Sequence, residues 1–120
     1  MTRILAVDDS ASVRQMVSFT LRKAGHAVDE AADGQEGIDQ ARRQKFDLIV
    51  TDLNMPRVDG IGMIVAVRQL PGYSFTPILM LTTESQPEKK AAGRKAGATG
   101  WIVKPFQADQ LIAVVQKLVR

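Results

Sequence analysis

Two adjacent aspartates at positions 8 and 9, a third at 52, a threonine at 82 and a lysine at 104 are the residues of this 120-residue chain whose types could do chemistry together. Each stands at the end of a short apolar run: ILAV before Asp8, LIVT before Asp52, ILML before Thr82 and WIV before Lys104. Lys104 poses the sharpest question, because a lysine heading out of a core needs a partner. If the runs are parallel strands of one sheet, all five side chains meet at its carboxyl edge, where open α/β sheets bind ligands. Any one of them alone reads equally well as a solvated loop residue. Agreement at four strand ends is what argues for a pocket.

Three carboxylates placed within a few ångströms oppose one another's ionisation, so such a pocket calls for a cation. The chain has no cysteine and one histidine, which leaves an all-oxygen ligand set suited to a hard ion. Mg²⁺ fits two or three carboxylates plus waters, whereas Ca²⁺ lacks the D-x-D-x-D-G loop that would wrap it. Lys104 adds a fixed positive charge. A lysine, a divalent ion and a hydroxyl together are what a phosphoryl group needs, since its transfer depends on stabilising charge on the equatorial oxygens. No histidine base lies near the serines and threonines, and His26 follows a helix-ending glycine as a plain loop residue, so a serine hydrolase is unsupported. A carboxylate can itself take a phosphoryl group as an acyl phosphate, and Asp52 is the natural candidate. Thr82 would then hydrogen-bond one phosphoryl oxygen and Lys104 pair with another.

The elements that must position these residues follow from hydrophobic periodicity. The runs Ile4–Val7, Ala27–Val28, Leu48–Val50, Ile78–Leu81 and Trp101–Val103 read as five strands. Between them, Val13, Met16, Val17, Thr20 and Leu21 fall on one helical face, with Ser10 or Ser12 as N-cap and Gly25 as terminator. Segments 35–44, 60–69, 86–96 and 107–119 complete the alternation. The fold expected is α/β: five β-α units building a doubly wound parallel sheet with helices on both faces. Segment 86–96 is the weakest helix, with Gly93 inside it and only alanines to bury, and is expected to be the most mobile. Asp59 and Gly60 read as a turn and helix start, and Pro56 as structural.

Composition bounds the rest. A chain of 120 residues with 45% hydrophobic and 24% charged residues is one ordinary globular domain, with no room for an output module. The start MTRILAVDDS is too short and too polar for a signal peptide or a membrane span, so the cytoplasm is the default location. A net charge of +3 could suggest nucleic acid, but the basic residues are spread over several segments, which argues against direct binding.

The acidic pair Asp8–Asp9, TDLNMPRVDG around Asp52, LTTES containing Thr82, and WIVKPF with Lys104, in that order, resemble the receiver domain of two-component response regulators. The likeness spans essentially the whole chain and is strongest to the stand-alone chemotaxis regulators of the CheY type. It implies a flavodoxin-like (βα)5 fold with strand order 2-1-3-4-5. It implies that Asp52 accepts a phosphoryl group from a histidine kinase of chemotaxis type, with Mg²⁺ held by Asp9, Asp52 and the backbone carbonyl of Asn54 while Asp8 acts largely through water. The family's Lys-Pro peptide is cis, which carries to Lys104 and Pro105. Thr82 would shift toward the phosphoryl group and Trp101 would change rotamer with it. Trp101 departs from the tyrosine familiar in motor-binding regulators, and its indole is larger with only an N–H to offer. The alternative is a tryptophan that merely packs on the fourth or fifth helix.

In related receivers the side chains at Asn54 and Glu84 tune the lifetime of the acyl phosphate; both could equally be solvated loop residues. Lys89, Lys90, Arg94 and Lys95 oppose a single Glu88 in the fourth helix, a face that would favour an acidic partner segment or would simply be solvated. The resemblance implies a cytoplasmic monomer that signals to the flagellar motor switch protein through its fourth helix, fifth strand and fifth helix, with a phosphatase as a further partner. It would be no enzyme beyond catalysing its own phosphorylation and dephosphorylation. The alternative within the family is a phosphate sink or relay intermediate. An aspartate-nucleophile phosphatase is remote, because position 54 is Asn where such enzymes carry a second Asp. A flavin carrier would place the flavin phosphate against three acids.

Overall fold

The computed structural model describes residues 2–55, 57–83 and 87–119. Five strands alternate with five helices: β1 (Arg3–Val7), α1 (Ala11–Lys23), β2 (Ala27–Ala31), α2 (Gly34–Arg43), β3 (Leu48–Asp52), α3 (Gly60–Arg68), β4 (Ile78–Thr82), α4 (Pro87–Ala96), β5 (Gly100–Val103) and α5 (Ala108–Leu118). All pairings are parallel, in the order β2-β1-β3-β4-β5. This is the flavodoxin-like (βα)5 arrangement that the sequence implies.

Burial explains the strand composition. Every residue of β3 and β4 is buried, because these strands lie inside the sheet with helices on both faces, so no position can be polar without a specific reason. The polar exceptions are Thr51, Asp52 and Thr82. One apolar layer collects Phe46, Ile49, Met63, Ile64, Val67 and Met80 beneath α2 and α3; the other collects Ile4, Leu21, Leu48, Leu79, Leu111 and Val115 beneath α1 and α5. Each such side chain contributes about 1.5–3 kcal/mol on burial, which is ample to fix the register.

Helix ends follow local chemistry. Ser10, not Ser12, caps α1, its hydroxyl accepting from the Val13 N–H, and Gly25 ends that helix at φ +102°. Asp33 caps α2 and Asp59 caps α3, accepting from the N–H groups of Glu36 and Gly62. Strand β2 runs three residues beyond the apolar Ala27–Val28, since at the sheet edge the half-buried Asp29 and Glu30 pair with Arg3 and Arg14. The chain leaves β1 toward β2 and returns to the other side of β1 as β3. The order therefore reverses between β1 and β3, the point where such sheets bind ligands.

Candidate functional site

At that point of reversal the residues following β1 and ending β3 face each other. Asp8 and Asp52 are buried, at 4% and 8% relative exposure, while Asp9 is exposed. Asp8, Asp9 and Asp52 can each offer one carboxylate oxygen such that all three lie within 4.8 Å of one another. Lys104, just past β5, reaches across β4 into the same space. Its Nζ lies 2.9 Å from Asp8 Oδ2 and 3.3 Å from Asp52 Oδ1. The Lys104–Pro105 peptide is cis, and the Lys104 N–H donates to the Thr82 carbonyl at 2.7 Å, which ties the lysine to the end of β4. Thr82 is fully buried between the two.

Each polar atom of Asp8 is engaged. Its N–H donates to Ala31 O at 3.1 Å, and its carbonyl accepts from Arg14 Nη1 at 2.8 Å. Oδ1 accepts from the Ser10 N–H at 2.9 Å and Oδ2 from Lys104. Asp52 Oδ1 takes the Leu53 N–H at 2.8 Å and is the carboxylate oxygen nearest Lys104 Nζ on that residue. Asp9 is turned to solvent.

Electrostatics follow from this packing. Burial, then the nearby Asp8, push the Asp52 carboxyl above the usual carboxylate range, and Lys104 only partly offsets them. Burial pulls the Lys104 ammonium down, but its hydrogen bond to Asp8 and the charges of Asp52 and Asp8 outweigh this and hold it above the ordinary lysine value. The charge of Lys104 is thus favoured, while ionising Asp52 carries a cost that a further cation would relieve. The donor set is wholly oxygen and rich in carboxylate, which suits a hard divalent ion such as Mg²⁺.

Lys104 is within ion-pair distance of both buried aspartates and lies nearer Asp8, at 2.9 Å, than Asp52, at 3.3 Å. Asn54 is exposed in the loop after β3. Glu84 and Pro56 lie outside the described residues.

Trp101 packs against the apolar layer under α3 and α4, and its Nε1 is buried without a hydrogen-bond partner. Gly93, the buried residue of α4, makes room for it: a Cβ there would lie 2.8 Å from Trp101 Cζ3 and 3.1 Å from Met80 Sδ. Lys89, Arg94 and Lys95 are exposed and Lys90 is half-buried. Lys90 and Arg94 line, with Trp101, a cavity of about 70 Å³ between α4 and β5. Sequence reasoning passed over Arg14 and read Gly93 only as a weakness of its helix. The signal for Arg14 was a cation in the first turn of an otherwise apolar helix face, six residues after Asp8; for Gly93 it was a helix-interior glycine opposite the lone tryptophan.

The fold and the acidic pocket define a class, and residues 4–116 match the family model of the response regulator receiver domain. The chain belongs to that family. Among solved structures it is similar to the chemotaxis protein CheY4 of Vibrio cholerae, at 52% identity and a TM-score of 0.95, covering 98% of each chain. A response regulator from Burkholderia multivorans is 49% identical with a TM-score of 0.83, covering 100% of this chain and 96% of that one. The receiver domain of the sensor histidine kinase PA1611 from Pseudomonas aeruginosa, 27% identical with a TM-score of 0.91 over 98% of this chain and 97% of that one, carries a magnesium ion in its active-site cleft. Among curated relatives, the transcriptional regulatory protein ResD of Bacillus subtilis is 38% identical over 99% of this chain but only 48% of its own length. The response regulator ArlR of Staphylococcus aureus is 35% identical over 100% of this chain and 53% of its own length. The chain thus spans about half the length of the curated relatives it matches.

It is a phosphorylation-activated receiver domain of two-component signalling. Receiver domains interact with histidine kinases and bind Mg²⁺ in their acidic site. Among the described residues no helix is long and apolar enough to cross a membrane.

Proposed function

We propose that Asp52 is the phosphoryl acceptor and that this receiver acts as a switch in chemotaxis, signalling through its α4-β5-α5 face to the flagellar motor switch protein. The observation that carries the reading is Lys104 Nζ within ion-pair distance of both Asp8 and Asp52, beside the exposed Asp9. In the transfer an Asp52 carboxylate oxygen forms a bond to phosphorus as the N–P bond of a kinase phosphohistidine breaks, the electron pair leaving with the imidazole. Asp8, Asp9 and Asp52, with the Asn54 carbonyl, would hold Mg²⁺. That ion would supply charge neutralisation on the phosphoryl oxygens. Lys104 pairs with one phosphoryl oxygen and the Thr82 hydroxyl hydrogen-bonds another, while Asn54 and Glu84 set the lifetime of the acyl phosphate.

Trp101 then reports the site to the surface, and Lys89, Lys90, Arg94 and Lys95 receive an acidic partner segment. The switch needs a differential of only a few kcal/mol between two conformations, within reach of a dianionic phosphoryl touching Thr82 and Lys104. The chemotaxis reading is supported by the likeness to the chemotaxis protein CheY4 at 52% identity, and a cytoplasmic monomer is part of the same proposal. A phosphatase would reset the switch. The second reading, a phosphate sink or relay intermediate, shares the same site and differs only in output.

The deciding experiment phosphorylates the purified chain with a small phosphodonor and Mg²⁺ and measures its retention on immobilised motor switch protein. Stronger retention of the phosphorylated form is expected. Equal retention of both forms would sink the motor reading while leaving the receiver assignment intact.

A further inference from the structure

The first turn of α1 carries a cation that the phosphoryl chemistry does not use. Arg14 is largely buried, at 18% side-chain exposure, and both ends of its guanidinium are engaged. Nη1 donates to the Asp8 carbonyl at 2.8 Å, and Nε donates to Glu30 Oε1 at 3.1 Å. Glu30 is itself braced by Arg22 at 3.6 Å. Behind Asp8, Arg14 lines a void of only about 10 Å³ together with Val17, Val50 and Leu81, so the guanidinium has little room to take another pose.

The carbonyl it grips begins the peptide joining Asp8 to Asp9. The Asp8 side chain is held by Ser10 and Lys104, whereas the exposed Asp9 side chain is held by none of these groups. What aims Asp9 is therefore the orientation of that peptide, and Arg14 fixes it. We infer that Arg14 is a positioning residue for the divalent ion: through the Asp8 carbonyl it turns Asp9 toward Asp8 and Asp52, and Glu30 holds it in place. This rests on the proposed metal site. Groups that orient ligands without touching the ion commonly set its affinity by 10–100-fold.

Charge and geometry predict opposite signs, which makes the inference separable. Removing the Arg14 cation, and leaving Glu30 with one fewer partner, makes the neighbourhood of the acids more negative and by Coulomb's law alone should tighten a divalent ion. If Arg14 positions Asp9, the same change weakens it.

The test titrates Mn²⁺ into the whole chain and follows free ion by electron paramagnetic resonance, for the unaltered protein and for Arg14→Met, Arg14→Lys, Glu30→Gln and Asp9→Asn, each with a melting curve to confirm folding. Arg14→Met is expected to weaken Mn²⁺ about tenfold. Arg14→Lys, which keeps the charge but cannot span both acceptors, should show an intermediate loss, and so should Glu30→Gln. A role in stability alone would lower the melting temperature without moving the ion affinity of the folded protein. Weakening by Asp9→Asn with unchanged or tighter binding in both Arg14 variants overturns this inference and spares the metal site. If Asp9→Asn leaves Mn²⁺ binding unaltered, the metal reading fails and the positioning role falls with it.

Discussion

The two ends of the same strands solve the problem of buried polar groups in opposite ways. At the amino end, the Tyr73 hydroxyl takes the Phe46 N–H at 3.1 Å and lies 2.9 and 2.8 Å from the carbonyls of Ala41 and Gln44. Arg68 donates to the carbonyls of Tyr73, Thr76 and Gly97, all at 2.6–2.7 Å. These contacts staple the loop before β4 to its neighbours, and they pair donors with neutral acceptors. At the carboxyl end one ammonium serves two buried carboxylates with a third acid alongside. The first arrangement is satisfied as it stands. The second is satisfied only in part, which leaves negative charge that a further cation would offset.

Four substitutions test that contrast, from the largest effect to the smallest. Asp52→Asn should abolish base-labile phosphoryl incorporation from a small phosphodonor; retained stoichiometric labelling would refute the assignment of Asp52. The same variant should be more stable than the parent at neutral pH, because it removes a carboxylate whose ionisation burial and Asp8 oppose. The sign follows from the raised carboxyl: the folded state holds the Asp52 proton above the ordinary value of 3.8, so stability from this group is complete below that pH and is lost as pH rises through the folded value. The gap between variant and parent should accordingly open as pH climbs from about 4 toward 7 and close in acid. A gap that does not change with pH would mean that Asp52 is not strained by burial.

Lys104→Met leaves Asp8 and Asp52 facing each other without their shared cation. Denaturant unfolding at pH 7 should show a loss of about 3 kcal/mol, the scale of breaking a buried ion pair. Millimolar Mg²⁺, or acid sufficient to protonate the pair, should restore part of it. Tyr73→Phe is the counterpart at the amino end. It strands the buried Phe46 N–H and should cost about 1–3 kcal/mol, with little dependence on pH between 5 and 8 and no change in phosphoryl incorporation. If Tyr73→Phe altered phosphorylation, the two ends could not be treated as independent.

The contrast also explains which features could be read in the sequence. Strands β1, β3 and β4 were legible because burial on both faces leaves continuous apolar runs, the edge strand β5 because Trp101, Ile102 and Val103 are all apolar although only Ile102 is buried, and the site residues because each interrupts such a run at its carboxyl end. The last three residues of β2 were not, since an edge strand can turn Asp29 and Glu30 toward arginines, and charges there resemble a loop. The preference of Lys104 for Asp8 was hidden too: sequence places both aspartates at one edge, but the 2.9 and 3.3 Å distances depend on strand order and on the path of the chain past β5. Gly93 was read as a weakness of α4. In the structure it is a vacancy that another element fills.

That vacancy gives the smallest and most informative prediction. Alanine at position 93 favours the helix by about 0.8–1 kcal/mol, but its Cβ would come within 2.8 Å of Trp101 Cζ3 and 3.1 Å of Met80 Sδ. The methionine can bend away, whereas the rigid indole must rotate as a whole. Leaving its place exposes apolar surface, yet frees an N–H that is buried without an acceptor, a group that itself costs about 1–3 kcal/mol. The opposing effects nearly cancel, so Gly93→Ala should change stability by less than about 1 kcal/mol while shifting tryptophan emission to longer wavelength without any phosphodonor. In a Trp101→Phe background, where the contact with the outer indole ring is gone, the same substitution should show the plain helix gain, and the cycle isolates the coupling. A large destabilisation with unshifted emission would mean that the indole is locked in place, and Trp101 could not then carry the state of the carboxyl-end site to the surface.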